Sequence, residues 1–346
     1  MLAPGARRRQ GRAVAATVAV LLAVALAGVS IGAVDLPFDQ VLGSLARHLG
    51  LDAGTPLPGV EDAILVEWRL PRVLLAGLVG GLLAVAGASY QGVFRNPLAD
   101  PYLLGAAAGA GLGATLVIEW GPARFGPLGT VPAAAFVGAL VGVGLAYALG
   151  TVAARHGGGT ATLLLAGVAV TAFLTAAQTL AQQAHSEDLR QVYSWILGNL
   201  GTAQWDTLGD VLPYAAVAVA LLLGCGRSLD VLAVGDEEAS TLGLRPERVR
   251  LVVLLAASLA TASAVAVSGL IGFVGLVVPH VVRRLAGTSY RSVLPVSLLG
   301  GAAFMILCDL VSRTVLAPSE LPVGVVTAFV GAPFFAALLR VGGPSR

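Results

Sequence analysis

LVVLLAASLATASAVAVSGLIGFVGLVVPHVV, residues 251–282, runs for 32 residues without one Asp, Glu or Arg, and its reading decides the fold. At 1.5 Å per residue one helix of that length would be a rod of about 48 Å, against a hydrocarbon layer of about 30 Å. A single crossing does not fit. Ser268-Gly269 is the natural place for the chain to turn back. Gly269, Gly272, Gly275 and Pro279 supply further breakpoints, so the second half reads as a short or irregular helix buried among its neighbours. The stretch therefore counts as two spans.

Working outward, the same ruler is a charge-free run of about 20 mostly apolar residues, because charge at the bilayer centre is costly. It finds 13–34, 73–94, 101–118, 125–154, 156–186, 211–226, 292–308 and 321–339. The run 191–205, QVYSWILGNLGTAQW, carries Gln191, Asn199 and Gln204 among its aromatics and reads as a short interfacial helix. The total is ten spans, an all-α, polytopic membrane protein with residues 1–346 as one integral-membrane domain. Run 13–34 exceeds the apolar core of a cleaved signal peptide, so it stays as the first helix. Arg7, Arg8, Arg9 and Arg12 at one end and Arg340 and Arg346 at the other place both termini inside, which demands an even number of spans. Residues 1–12 are then a cytoplasmic tail and 226–250 a cytoplasmic segment. Counting 191–205 as a span and 251–282 as one also gives ten, but it exports Arg227, Arg245, Arg248 and Arg250, and we reject it.

Composition agrees. Residues are 57% hydrophobic and 12% charged, about half the roughly 25% charge of soluble domains. The mean hydropathy is +0.87. An ordinary soluble enzyme is excluded. With 21 basic residues, all Arg, against 19 acidic ones, the net charge of +2 leaves no nucleic-acid footprint. A chain without lysine cannot form a Gly-x-x-x-x-Gly-Lys-Ser/Thr loop, so it does not bind ATP by that route. Cys225 and Cys308 sit in apolar stretches, match no metal spacing and read as packing residues. No His-Glu-x-x-His motif occurs, and no resident metal or cofactor is expected.

Arg69-Leu70-Pro71-Arg72 stands just before the second span, on the outer side by this count, with Pro71 suiting a first helical turn. Two readings stand: arginines snorkelling to headgroups, or a socket for a carboxylate-bearing partner, whose geometry an Arg fork matches. Arg313 lies on the same side. In RSLDVLAVGDEEASTLGLRPERVR, Asp236, Glu237 and Glu238 after Gly235 suit a helix start, Gly243 its stop, and Pro246 the first turn of the next helix. Ala239 and Leu242 would share an apolar face, either of a solvated loop or of a docking helix for a cytoplasmic subunit. Asn96 before Pro97 is expected to cap an end at the inner face. Gly109-Ala-Gly111-Ala-Gly113 reads as helix packing and not as a dinucleotide fingerprint. A stand-alone carrier driven by an ion gradient would show paired intramembrane acids or histidines; only His280 and Asp309 come close, and His280 reads as a structural hydrogen bond.

Six strings carry a resemblance: WRLPRVLLAGLVGG, GASYQGVFRNPLADPYLLG, TLLLAGVAV, VLAVGDEEASTLGL, SGLIGFVGLVVPHVVRR and SELPVGVVTAFVGAPFF. In this order, and over nearly its whole length, the chain resembles the FecCD family of ABC-importer permeases, which includes vitamin B12, haem and ferric-siderophore permeases. The resemblance implies a type II importer permease of ten helices in a prokaryotic plasma or inner membrane. It also implies a second permease subunit, identical or related, two ATPase subunits that hold ATP and Mg, and an extracytoplasmic binding protein that delivers an iron-siderophore, haem or cobalamin-like chelate. Arg69, Arg72 and Arg313 would receive glutamates of the binding protein. Asp236, Glu237, Glu238, Ala239, Leu242 and Gly243 would couple to the ATPase, and Asn96, Thr160 and Thr162 would lie near the cytoplasmic end of the pathway.

Overall fold

The computed structural model describes residues 4–51, 54–121, 130–154, 160–184 and 189–341. Its helices are α1 (Pro4–Ser30), α2 (Phe38–His48), α3 (Gly59–Ala63), α4 (Leu70–Phe94), α5 (Ala106–Trp120), α6 (Thr130–Ala154), α7 (Thr160–Ala184) and α8 (Leu189–Ile196). They continue with α9 (Trp205–Gly224), α10 (Gly226–Leu232), α11 (Asp236–Thr241), α12 (Pro246–Ser268), α13 (Val274–Ala286), α14 (Tyr290–Thr314) and α15 (Val323–Val341). Among the described residues seven helical stretches are long and apolar enough to cross a membrane: α1, the joined α3–α4, α6, α7, α9, α12 and α14. The shorter α5, α13 and α15 bring the count to ten, and α8 is the short eight-residue helix expected at the interface.

The run 251–282 does break at Ser268-Gly269. Gly269 has φ +70°, and a Cβ there would collide with the Trp195 carbonyl, so only glycine can end α12 in this way. Pro279 is not a breakpoint. It lies inside α13, whose 13 residues span only about 20 Å and start after an irregular 269–273 link. Pro71 falls in the first turn of α4 as expected, but that helix does not begin from a loop: a π turn, Ile64–Arg69, joins α3 to α4 without a gap. Proline lacks the amide that an α-helix would pair four residues back, and a π turn placed just before it absorbs that lost bond.

Burial separates centre from rim. In the joined α3–α4, 83% of the apolar window is buried, in α12 78% and in α14 56%, against 17% in α1 and 28% in α7 and α9. α4 approaches its neighbours closely through small residues: a Cβ on Gly80 would strike the Gly301 carbonyl of α14, and one on Gly87 the Gly275 backbone of α13. Gly109 and Gly138 do the same between α5 and α6, each under the other's carbonyl, so the glycine string is a packing surface. The outer helices keep apolar faces open, with Leu165 69%, Phe173 70% and Leu180 74% exposed along α7.

Candidate functional site: two charge networks at the ends of one helix

α1 ends at Ser30 with no basic residue in its last turn, so its final carbonyls need donors from elsewhere. Arginines supply them. Arg69 Nη1 donates to the carbonyls of Val29 at 2.9 Å and Ser30 at 2.6 Å, its Nη2 to that of Val34, and Arg313 Nη2 to that of Gly28 at 2.5 Å. Arg69 is 6% exposed. It is a cap held inside the chain, not a free fork on the surface, and neither reading of the Arg69–Arg72 motif assigns it that work.

Arg72, unlike Arg69 and Arg313, has a solvent-exposed partner. Its Nε donates to Asp309 at 2.9 Å, while Nη1 and Nη2 grip both oxygens of Glu320 at 2.8 and 2.9 Å. Asp309 is fully buried and lies also 3.3 Å from Arg313 Nε. The one intramembrane acid that suggested ion coupling is therefore matched to two guanidiniums, which removes the need for a cation. Glu320 sits in the link between α14 and α15; its hydrogen bonds from Arg72 hold its carboxyl below the usual range. The sequence reading missed Glu320. The signal available was charge balance, since three arginines assigned to one face of a membrane protein call for acids nearby.

The second network lies at the far end of α4. Arg95 terminates that helix in the left-handed region, φ 48°, and the Asn96 amide reaches back to the Gln91 carbonyl at 3.2 Å. Asn96 Oδ1 accepts from the Leu98 amide at 2.9 Å, so it stabilises the turn as expected. Arg95 Nε and Nη2 donate to the Leu232 carbonyl, the end of α10, at 2.9 and 2.6 Å, and Nη2 also pairs with Asp236. Arg250 of α12 donates to both oxygens of Asp236 at 2.7 Å. Asp230 caps α14 by accepting from the Tyr290 amide at 2.5 Å and from Ser289 Oγ at 2.7 Å. The 226–241 segment is thus bonded to α4, α12 and α14, the three most buried of the seven long apolar stretches. Partial burial opposes ionisation of Asp236, but the Arg250 and Arg95 guanidiniums win and hold its carboxyl below the usual carboxylate range.

Local structure in this segment follows the sequence: α10 and α11 form, Gly243 takes φ +81° after α11, and Pro246 opens α12. Two details differ. Ala239 and Leu242 do not share a face, because α11 ends at Thr241; Ala239 is fully buried and Leu242 is 71% exposed. Asp236 is half-exposed and engaged by Arg95 and Arg250, which leaves Glu237 and Glu238 as the more exposed acids. Thr162 is half-buried near the start of α7; of Thr160 only its place as the first residue of that helix is described. Arg155 and Arg346 lie outside the described residues. His280 Nε2 has no hydrogen-bond partner among them; the ring stands edge-on to Phe334 at 5.8 Å, so packing replaces the expected hydrogen bond. No cluster that could hold a metal occurs among the described residues, and both cysteines are free.

Between the two networks lies the length of α4. From Arg72 to Arg95 the rise is about 35 Å, a bilayer's thickness. α1 brings its C-terminal end, and α15 its N-terminal end, to the Arg72 network, so the opposite ends of these two helices point toward the Asp236 end.

The model of the FecCD transport family matches residues 20–341. The hemin transport system permease protein HmuU of Yersinia pestis is 39% identical over 323 residues, 91% of each chain. The cobalamin import system permease protein BtuC of Halobacterium salinarum is 42% identical over 285 residues, 82% of this chain and 75% of that one. A solved structure described as an inward-facing conformation of a metal-chelate type ABC transporter aligns with a TM-score of 0.81 and 30% identity, covering 94% of this chain and 97% of that one.

Proposed function

This chain belongs to the FecCD transport family and is a multi-pass permease subunit of an ABC importer, and from that premise we propose how its two ends divide the work. The Arg72–Glu320 end faces outward and receives an extracytoplasmic binding protein that carries a metal chelate of the siderophore, haem or cobalamin kind. The 226–250 segment faces the cytoplasm and docks on an ATPase subunit through Glu237, Glu238 and Leu242. Asp236 and Ala239 hold it to the membrane helices, and Gly243 supplies the turn that ends it. Both termini are cytoplasmic. The exposed apolar face of α7 meets a second permease copy or a related chain, and Asn96 and Thr162 line the inner end of the passage. Two ATPase subunits hydrolyse the ATP.

The observation that carries this reading is the separation of the two networks by the full length of one buried helix. A ligand shifts a conformational equilibrium only by preferring one state. ATP closing the ATPase pair would act here by pulling a segment bonded to α4, α12 and α14 together. Of Arg69, Arg72 and Arg313, Arg72 is the one whose pairing carboxylate is open to solvent, while Arg69 and Arg313 keep the end of α1 in place behind it.

Single cysteines test the arrangement. With Cys225 and Cys308 replaced by Ala, Ser319→Cys is expected to react with an impermeant maleimide in intact cells, and Ser240→Cys only after permeabilisation. Labelling of both from one side would overturn the reading.

A further inference from the structure

Arg72 holds two carboxylates of different kinds. Asp309 is fully buried and shared with Arg313, whereas the Glu320 side chain is 43% exposed and pairs with Arg72 alone. Each oxygen of Glu320 takes one Nη of the fork, which is the geometry a carboxylate from another protein would also adopt. Beside the pair stands Gly201; a Cβ there would come within 3.6 Å of Glu320 Oε2 and 3.8 Å of Arg72 Nη1, so glycine leaves the approach to the fork uncovered. An ion pair with one partner near half exposed adds little net stability, so replacing one carboxylate by another is close to isoenergetic.

Glu320 is also the first residue of a strap. The Leu321 amide donates to the Ser312 carbonyl at 2.9 Å, the Val323 amide to that of Gly198 at 3.2 Å, and the Gly324 amide to that of Leu197 at 3.1 Å. The next residue on that side, Asn199, donates from its amide to the Ser268 carbonyl at 2.9 Å. Asn199 and Ser268, with Arg190, Ser194, Trp195 and Thr202, line a cavity of about 620 Å³ between α8, α12 and the start of α6. The side-chain bonds of Glu320 to the Arg72 fork, the 320–324 chain and these main-chain hydrogen bonds therefore connect the fork to the rim of this cavity.

We infer that Glu320 is an internal stand-in for a partner's carboxylate: an acidic docking protein exchanges its own Asp or Glu for Glu320 in the Arg72 fork, and the released 320–324 strap loosens the cavity rim. The inference rests on the docking reading of Arg72 and adds the exchange. Docking is then a swap of one ion pair for another, with the displaced carboxylate turning to solvent, and its by-product is freedom in the segment that bounds the cavity. The same swap keeps Arg72 neutralised in both states, so the undocked permease never presents a bare charge beside the membrane.

The test uses the full transporter in lipid nanodiscs and the substrate-binding protein of the same transport system. Glu320→Gln removes the internal competitor and is expected to tighten docking about two- to fivefold, the range an exposed ion pair allows. Amide hydrogen exchange at Leu321, Val323 and Gly324 is expected to rise on docking in the unmodified protein and to be raised already in E320Q without the partner. Equal or weaker docking by a folded E320Q, or unchanged or slower exchange in the unmodified protein on docking, overturns the inference. If E320Q fails to fold, the exchange measurement on the unmodified chain decides alone. Arg72→Ala separates the two layers: docking unchanged by R72A sinks the docking reading itself, whereas docking weakened by R72A but not tightened by E320Q sinks only the exchange.

Discussion

Gly80 and Gly144 differ in nothing but surroundings. Gly80 lies under the Gly301 carbonyl, and an added methyl has no room there, so Gly80→Ala should cost about 1–3 kcal/mol as helices are forced apart. A Cβ added at Gly144 would meet nothing within 4 Å, so Gly144→Ala should leave stability level or slightly raised. Thermal unfolding of the two variants in the same detergent checks the pair. Asp309→Ala is a harsher change, since it leaves Arg72 and Arg313 short of a buried counter-charge; a loss of about 3 kcal/mol or more is expected. Uptake should fall only in proportion to folded protein, whereas an ion-coupled carrier would keep its fold and lose its driving ion. Asp236 titrates on the surface side. Its folded pKa is depressed, so its contribution is present above the unfolded value near 4 and is lost as pH falls through the folded one. With its carboxylate side chain 45% exposed, that contribution stays under about 1 kcal/mol, and lower amide protection factors in α11 below pH 4, matched at neutral pH by Asp236→Asn, are the readout.

At the scale of elements, helix number and most boundaries are legible because charge-free length and glycine breaks are local properties of the chain. The break at Ser268-Gly269, the pair α10 and α11, and Pro246 at the start of α12 all follow from residues next to one another. What escapes is set by distant partners. Pro71 has the look of a helix start, yet α3 and a π turn precede it; nothing local says that a helix will continue through a proline. Arg69 and Arg313 read as surface forks and prove to be caps for α1, sequence neighbours of neither. Arg95 reads only as an inside charge, though its side chain ends α10 and anchors α11. The α11 segment yields a discriminating prediction. Leu242→Glu changes an exposed residue and should leave the melting temperature unmoved while lowering ATPase co-purification at least tenfold; Ala239→Leu changes a buried one and should lower the melting temperature by several degrees. If L242E keeps its ATPase, the docking surface lies elsewhere on the segment.

For the whole molecule, all four tryptophans fall toward the Arg72 end: Trp68 before α4, Trp120 closing α5, Trp195 near the end of α8, and Trp205, whose Nε1 donates to the Val66 carbonyl at 3.0 Å. Such rings favour the headgroup level and set the depth of that face. α4 gives the molecule one more property. Each residue added to an α-helix turns everything beyond it by about 100° and moves it by only about 1.5 Å. The 23 steps from Arg72 to Arg95 therefore fix the azimuth at which one end meets Asp309 and Glu320 and the other meets Leu232 and Asp236. A single alanine inserted near Val85 would barely lengthen the rod, yet would aim one of the two guanidiniums away from its acceptors; four inserted residues, slightly more than a full turn, would bring the bearing most of the way back. Phase along α4, more than its length, keeps the two faces of the permease in step.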